Sequence, residues 1–275
     1  MKEDQEQVLE PEFSHLQFIE EDEEGRIEIV TQTHRSICTK GCDRPTNTCL
    51  CPHLPHQPIP TSTHLLILQH PHERRHKLST APILTKCLSN AQIILGRRLT
   101  LGSSPLLDAL HAQSTQQTPK TLRNPRALIL FPDAESVKLT KWVSTNRGEL
   151  QKGGLVLIVL DGTWNHAREM AKASEGFLKG FATRVCLDFD VGVDGGSVFD
   201  SELVLRKEPF GGCVSTVEAM ARALRVLEVD GGEIEERLVG VLRAMVGFQA
   251  DHLKGKDVRA RPKMGKKNGK EKRRI

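Results

Sequence analysis

The stretch "LVLIVLDGTWNHAREM" at residues 155–170 joins an unbroken apolar run to a polar turn and then to residues that suit a helix. A continuous apolar run is typical of a strand covered on both faces, as in a parallel sheet. Asp161 ends the run, Gly162 permits a close backbone approach, and Thr163 is a suitable N-cap for a helix. A capped strand end with Trp164 packed in the core explains this pattern. A carboxylate beside an aromatic ring also suits proton abstraction from a stacked base, so both interpretations stay open here.

Other apolar runs repeat this pattern and predict the fold class. They lie at 64–70, 91–96, 127–132 and 203–208, and segments of helical character lie at 72–88, 134–148, 165–180 and 215–228. The last segment has a capping box, because Ser215 is followed three residues later by Glu218. Alternating strands and helices predict an α/β domain with a parallel sheet and with ligands at the carboxyl ends of the strands.

Composition divides the chain into an acidic leader (1–33), a cysteine-rich module (34–60), an α/β domain (61–250) and a basic tail (251–275). Residues 1–24 contain ten acids and one lysine, whereas residues 254–275 contain eleven Lys or Arg and two acids. Both ends have few apolar residues, which predicts that they are disordered. The tail could bind RNA phosphates, act as a nuclear import signal or serve only to solubilise the protein.

The sequence contains no apolar stretch of about 18 residues, so no transmembrane helix and no membrane partner are expected. The acidic start argues against a secretory signal and a typical transit peptide. Seven cysteines, an odd number, argue against a disulfide framework. These features together predict a cytoplasmic and/or nuclear protein.

Four cysteines lie close together in the pattern C-x3-C-x6-C-x-C: Cys38, Cys42, Cys49 and Cys51. Four thiolates suit a tetrahedral zinc ion, and this segment has too few apolar residues to fold without a crosslink. Such a zinc ion would be structural, because four protein ligands leave no open coordination position. Reduced idle thiols and an iron–sulfur cluster are the alternatives.

Two further strand ends carry charged residues. After Gln69 and His70, the segment contains Arg74 and Arg75, which could meet phosphate or form a solvated helical turn. In "LFPDAES" at 130–136, Asp133 and Glu135 could complement a helix dipole.

Four blocks, taken in order, resemble the DTW-domain proteins, specifically the tRNA-uridine aminocarboxypropyltransferases. They are "CDRPTNTCLCPHLP" (42–55), "ILQHPHERRHKLSTAPIL" (67–84), "DGTW" (161–164) and "STVEAMARAL" (215–224). Each block alone is a weak signal, but the four together are specific and span roughly residues 35–250.

The resemblance implies a SPOUT-like α/β fold with a C-terminal trefoil knot. It also implies S-adenosylmethionine as co-substrate and transfer of its 3-amino-3-carboxypropyl group to N3 of a uridine in tRNA. The products would be acp3U and methylthioadenosine, and a monomer is favoured.

The resemblance also suggests roles for individual residues. Asp161 is expected to be the base that deprotonates uridine N3. The expected S-adenosylmethionine contacts are Phe131, Pro132, Asp133, Glu135, Leu160, Gly162, Thr163, Trp164, Ser215 and Thr216. The expected RNA contacts are Arg74, Arg75, Arg206, Lys207 and the basic tail.

Two other functions remain open. A SPOUT-like RNA methyltransferase would release S-adenosylhomocysteine instead of methylthioadenosine. A non-catalytic, zinc-containing RNA-binding protein is the alternative outside enzymes, although the absence of Tyr argues against a base-stacking platform. Action on ribosomal RNA is a related possibility.

Overall fold

The computed structural model describes residues 17–21, 27–31, 36–76, 79–115, 126–151, 153–188, 197 and 214–253. The predicted strand at 203–208, the predicted RNA contacts Arg206 and Lys207, and residues 254–275 of the predicted tail lie outside these residues. Residues 251–253, predicted to begin the disordered tail, are helical instead. The chain separates into two compact units, residues 1–51 and 52–275.

The N-terminal unit contains an antiparallel strand pair within the acidic leader. Strand β1 (Gln17–Glu21) pairs with β2 (Ile27–Thr31). The sequence predicts a mostly unstructured leader here because the N-terminal end has few apolar residues. The second strand nevertheless has the sequence IEIVT, and β-branched residues of this kind favour extended backbone.

The C-terminal unit is built around a six-stranded sheet in which all neighbouring strands are parallel, as the apolar runs predict. Its order is β4-β3-β7-β5-β8-β6. The strands are β3 (His64–Gln69), β4 (Ala91–Leu95), β5 (Ala127–Leu130), β6 (Val137–Lys138), β7 (Val156–Asp161) and β8 (Ala182–Cys186). The sequence does not predict β6, which has two residues, or β8, whose ATRVC sequence has no continuous apolar run.

The described helices are α1 (Ala81–Cys87), α2 (Pro105–Thr115), α3 (Leu139–Thr145), α4 (Arg147–Gln151), α5 (Trp164–Leu178), α6 (Thr216–Leu227) and α7 (Gly231–Leu253). The helical segment predicted over 72–88 is shorter in the structure, with a 3-10 turn at Glu73–Arg75 and then α1. Pro82 lies at the start of α1, where its missing N–H costs nothing, and a proline inside a longer helix would break it. Within the described residues, no helix has both the length and the apolar character that a bilayer crossing needs.

The central strand β7 is buried along its whole length, and its side chains alternate between two faces. Val156, Ile158 and Leu160 belong to a core cluster that includes residues of α2 and α5. Asp161 belongs to the opposite set, and its carboxylate meets Thr216 at the start of α6. The sheet therefore directs the only acid of this strand towards α6.

The strand order brings the carboxyl ends of β3 and β7 side by side. Gln69 and Asp161, the last residues of the two strands, are register partners. After β3 the chain forms β4, which is the edge strand beside β3. It then crosses to the other side of β3, where β5 lies beyond β7. Such a reversal of direction in an open parallel sheet opens a crevice at the carboxyl edge, where ligands usually bind.

Helices α6 and α7 pack against each other after a short turn, and Gly231 permits their close approach. A Cβ at this position would lie 2.5 Å from the carbonyl oxygens of Leu224 and Arg225. Backbone atoms cannot yield as a flexible side chain does, so any larger residue would force the helices apart.

We expect Gly231→Ala to lower the free energy of unfolding by about 1–3 kcal/mol, the usual cost of overpacking. The matched control is Gly232→Ala, because a Cβ there meets no atom within 4 Å. The control should be neutral or stabilising by up to about 1 kcal/mol, since alanine favours helices over glycine. Urea denaturation of the three proteins measures both effects, and equal stabilities for the two variants would contradict this account.

Candidate active site

A buried carboxylate lies at the carboxyl edge of the sheet. Asp161 is 5% exposed, and each of its oxygens accepts one hydrogen bond. The Gln69 amide donates to Oδ2 at 2.9 Å, and the Thr216 hydroxyl donates to Oδ1 at 2.7 Å. Both donors are neutral, so they hold the carboxylate in place without cancelling its charge.

The start of α6 is fixed by a second buried carboxylate. Ser215 and Glu218 form the capping box that the sequence predicts, with Ser215 Oγ accepting from the Glu218 N–H and Glu218 Oε2 accepting from the Ser215 N–H. Glu218 is 2% exposed and also accepts from the Ser197 hydroxyl at 2.8 Å. This network keeps Thr216 in position to donate to Asp161.

The loop after β5 places an aromatic residue near the DGTW turn. Phe131 is buried, and its ring centroid lies 6.4 Å from that of Trp164, with the planes tilted by 46°. Thr163 is the N-cap of α5, as predicted, and accepts a hydrogen bond from the backbone N–H of His166. The residues of the DGTW turn and Phe131 thus lie on neighbouring strand ends.

Asp133 does not lie at a helix start, because residues 133–136 form a turn that precedes β6. Its Oδ2 pairs with the Arg184 guanidinium at 2.7 Å, and Arg184 also contacts Glu175 at 3.4 Å. Asp133 Oδ1 accepts from the Glu135 backbone N–H at 2.9 Å. The alternative that Asp133 complements a helix dipole is therefore wrong, and the residue stabilises a turn instead.

Three histidines cluster at the same edge of the sheet. His70 follows β3, His72 lies in the next turn, and His166 lies in the first turn of α5. The rings of His70 and His166 stack with centroids 3.7 Å apart and planes 11° apart. Burial lowers the pKa of His70, and His166, His72 and Arg97 lower it further, whereas Glu169 acts in the opposite direction.

Gly162 makes room for this stacking. A Cβ at position 162 would lie 3.0 Å from Cβ of His166 and 3.4 Å from Cβ of His70. The contact with His70 would be an ordinary van der Waals contact, but His166 would have to shift slightly, and its Cβ is close to the backbone. The glycine of the DGTW turn thus permits the close approach of His166.

In the N-terminal unit, the four clustered cysteines converge as the spacing predicts. Their sulfur atoms lie within 4.8 Å of one another, with separations of 3.3 Å for Cys38–Cys49 and 3.6 Å for Cys42–Cys49 and Cys38–Cys51. A 3-10 turn at Thr46–Thr48 and a bridge between Ile37 and Pro45 bring the two halves of the segment together. The cluster can hold a tetrahedral metal ion such as zinc.

Burial, backbone N–H groups and neighbouring thiols shift the pKa values of two of these thiols. Burial acts to raise the pKa of Cys42, but the backbone N–H groups of Arg44 and Leu50, with the thiols of Cys38 and Cys49, lower it to about 6. Burial, together with the neighbouring thiols, raises the pKa of Cys51 to about 12. Cys42 therefore ionises before Cys51, and the thiolate is the form that binds metals.

The structure brings most of the expected S-adenosylmethionine contacts to one edge of the sheet, but these residues differ in solvent exposure. Phe131, Leu160 and Ser215 are buried, whereas Pro132 and Glu135 are exposed. Among the expected RNA contacts, Arg74 is exposed on the 3-10 turn after His72, and the backbone of Arg75 belongs to the same turn.

Sequence reasoning missed several residues of this edge. Gln69 is 92 positions from its partner Asp161, so no local pattern reveals their hydrogen bond. His166 follows the DGTW motif on a helix whose sequence has no unusual feature, so no local pattern marks this residue. Arg97 and Arg98 are exposed just after β4, and a Gly-Arg-Arg sequence after an apolar run was a readable signal.

The fold and this edge define an α/β protein with a polar site at the carboxyl ends of parallel strands. The DTW domain family matches residues 35–250, and the chain belongs to that family.

The chain is similar to several curated proteins over most of its length. It is 47% identical over 244 residues to tRNA-uridine aminocarboxypropyltransferase A of Arabidopsis thaliana, covering 85% of this chain and 88% of that protein. It is 32% identical to tRNA-uridine aminocarboxypropyltransferase 2 of Macaca fascicularis, covering 86% of this chain and 70% of that one. The protein of the same name from Drosophila melanogaster is 30% identical, with 79% and 76% covered. No solved structure matches the chain.

The acidities of two cysteines predict a difference in alkylation of the metal-free protein. At pH 7.5, in protein whose cysteine-rich segment keeps its fold without metal, Cys42 should react with iodoacetamide faster than Cys87, because a thiol with a pKa of about 6 is mostly thiolate. Cys87 should stay unmodified, since burial raises its pKa to about 12. Lowering the pH to 5 should slow the reaction of Cys42 about tenfold, because its thiolate becomes protonated.

Peptide mapping by mass spectrometry, in the presence of a chelator, measures both rates. The control is the denatured protein, in which both cysteines should react at similar rates. Faster labelling of Cys87 than of Cys42 in the folded protein would show that the assigned acidities are wrong.

Proposed function

We propose that this protein transfers the 3-amino-3-carboxypropyl group of S-adenosylmethionine to N3 of a uridine in tRNA. Membership of the DTW family and the names of the relatives support the reaction class. Asp161, a buried carboxylate at the carboxyl end of the central strand, supports the chemistry and is the observation that carries the proposal.

The reaction forms a bond between uridine N3 and the γ-carbon of the amino acid chain. The bond between that carbon and the sulfonium sulfur breaks, and sulfur keeps the electron pair as methylthioadenosine leaves. The N3 proton must go to a base, because the neutral imide nitrogen is a poor nucleophile. The enzyme must also present the γ-carbon, rather than the methyl group, in line with N3.

We assign the base to Asp161. A carboxylate has about four lone-pair positions, and Gln69 and Thr216 occupy one on each oxygen. Each oxygen therefore keeps a lone pair that can accept the N3 proton. The low exposure of Asp161 keeps bulk water away, which strengthens its electrostatic interaction with a bound uridine.

Residues around Asp161 are proposed to hold S-adenosylmethionine. The set is Phe131, Pro132, Asp133, Glu135, Leu160, Gly162, Thr163, Trp164, Ser215 and Thr216, in a SPOUT-like arrangement with a C-terminal trefoil knot. In support, the loops after β5 and β7 and the start of α6 lie at one edge of the sheet. The hydroxyl of Thr216 already donates to Asp161, so we propose that its backbone N–H group at the helix start contacts the co-substrate.

We propose that residues 34–60 form a zinc module and that residues 61–250 form the catalytic domain. The four converging sulfur atoms support the first proposal, and their number makes the zinc structural. Zinc binding would supply the crosslink that this segment, poor in apolar residues, needs in order to fold.

The substitution Asp161→Asn tests the base. It keeps the size of the side chain and an oxygen that can accept from Thr216, but it removes the basic lone pairs. We expect acp3U formation to fall by about 10²–10⁴-fold, the usual contribution of a general base, with tRNA binding unchanged. The measurement is nucleoside mass spectrometry after incubation of purified protein with S-adenosylmethionine and unmodified tRNA.

Thr216→Val is the matched variant, because it removes the hydrogen bond to the carboxylate but leaves the base. It should lower the rate less than Asp161→Asn does. If Asp161→Asn kept full activity while Thr216→Val lost it, Asp161 would only position α6. Methyluridine and S-adenosylhomocysteine as products would identify a methyltransferase, and tRNA binding without any product would identify a binding protein.

We propose that basic residues contact tRNA phosphates. The set expected from the sequence is Arg74, Arg75, Arg206 and Lys207, with the basic tail. Of these, Arg74 is exposed after β3. Arg97 and Arg98 are added because both are exposed just after the neighbouring strand β4, and the charge of Arg97 acts on His70.

The double variant Arg97→Ala/Arg98→Ala should weaken tRNA binding and reduce the slope of log K against log salt by about 1 per lost contact. The control is Arg147→Ala, an exposed arginine that begins α4 before the amino end of β7. Filter binding at several salt concentrations measures the slope. An unchanged slope in the double variant would remove these residues from the interface.

A further inference from the structure

Three imidazoles at the carboxyl edge lie close enough together to share one ion. His70, His72 and His166 each offer a ring nitrogen, and these nitrogens all lie within 4.8 Å of one another. The ring centroid of His72 lies 4.8 Å from that of His70 and 5.4 Å from that of His166. The reaction proposed above uses none of these rings.

The backbones of two of the three residues are hydrogen-bonded to the DGTW turn. The backbone N–H of His70 donates to the Asp161 carbonyl at 2.8 Å, and that of His166 donates to the Thr163 hydroxyl at 3.3 Å. Gly162 permits the close approach of His166, as described above. His72 is exposed and lies on a turn, so it can adjust to a bound ion.

A separate observation concerns His166. Its Nδ1 is buried and has no hydrogen-bond partner among the residues that the structure describes. An unsatisfied buried polar atom destabilises the fold, so such atoms in native proteins usually have a hydrogen-bond partner or a bound ion. A metal ion bound to this nitrogen would remove the destabilisation.

We propose that His70, His72 and His166 form a binding site for a divalent transition-metal ion, separate from the cysteine cluster. Imidazole nitrogens select ions such as Zn²⁺, Ni²⁺ and Co²⁺, whereas Mg²⁺ and Ca²⁺ prefer oxygen. Three protein ligands leave a coordination position open, which distinguishes this site from a closed four-thiolate site. The exposure of His72 puts the open position within reach of solvent.

Binding requires one ring to turn. Stacked rings have parallel planes, so the in-plane lone pairs of His70 and His166 do not converge on one point. His166 is the ring that turns, since its Nδ1 gives up no hydrogen bond. His70 Nδ1 accepts a hydrogen bond of 3.3 Å from the His72 backbone N–H, which is long and therefore weak.

Two charged side chains near His70 determine whether substitutions there strengthen or weaken the binding of a cation. Arg97 opposes a cation at this site, whereas Glu169, one turn along α5 from His166, favours it. Arg97→Ala should therefore tighten metal binding, and Glu169→Gln should weaken it. Both residues are exposed, so neither substitution threatens the fold.

The test counts metal ions bound to the full chain. Protein stripped with a chelator is dialysed against Zn²⁺, and zinc per chain is measured by mass spectrometry of the metal. The intact protein should bind two equivalents, and His72→Ala and Cys42→Ser should each bind one. The matched control is His76→Ala, which should bind two equivalents of zinc. His76 is exposed, lies four residues after His72 and is outside the cluster.

A titration with Cd²⁺ distinguishes the cysteine site from the histidine site by ultraviolet absorption. Cd²⁺ bound to thiolates absorbs in the ultraviolet, so this signal should saturate after one equivalent while calorimetry detects a second. The second equivalent should disappear in His72→Ala and in His166→Ala, with circular dichroism verifying that both variants fold. A single equivalent that shows the thiolate absorption in the intact protein, or two equivalents in His72→Ala, would overturn the proposal. This outcome is independent of acp3U formation.

Discussion

The organisation of the candidate active site depends on one buried carboxylate. Asp161 ends the central strand, and its two oxygens bind Gln69 of the neighbouring strand and Thr216 of a helix that follows much later in the chain. A buried charge is stable only when hydrogen bonds satisfy it, so these three elements must stay together. The same contacts that stabilise Asp161 therefore fix the geometry around it, and the remaining lone pairs are what the proposed reaction uses.

The parallel sheet explains why the polar residues are concentrated in one place. Because every strand runs in the same direction, residues that follow different strands collect at one edge. His70 follows β3, Arg97 follows β4, Phe131 follows β5 and Asp161 ends β7. Apolar side chains fill the body of the sheet, which leaves this edge for chemistry. A base, a cofactor loop, phosphate contacts and a metal site can all be proposed there without disturbing the core.

The cysteine segment follows a different principle, because its ligands are close together in sequence. A turn and a short bridge suffice to bring four sulfur atoms together. The acidity of Cys42 comes from backbone N–H groups and neighbouring thiols within the same segment. A local pattern of this kind can be recognised in the sequence. The histidine cluster cannot, because it joins His70 and His166, which are 96 positions apart.

The sequence by itself determined the α/β class, four of the strands, the caps at Thr163 and Ser215, and the convergence of the four cysteines. All of these depend on interactions between residues close in the chain, such as apolar runs, capping hydroxyls and short ligand spacings. Only the tertiary structure decided the strand order, the short strands β6 and β8, the partners of Asp161 and the ion pair of Asp133 with Arg184. Those features depend on which distant segments become neighbours when the core closes, and local composition does not encode that choice.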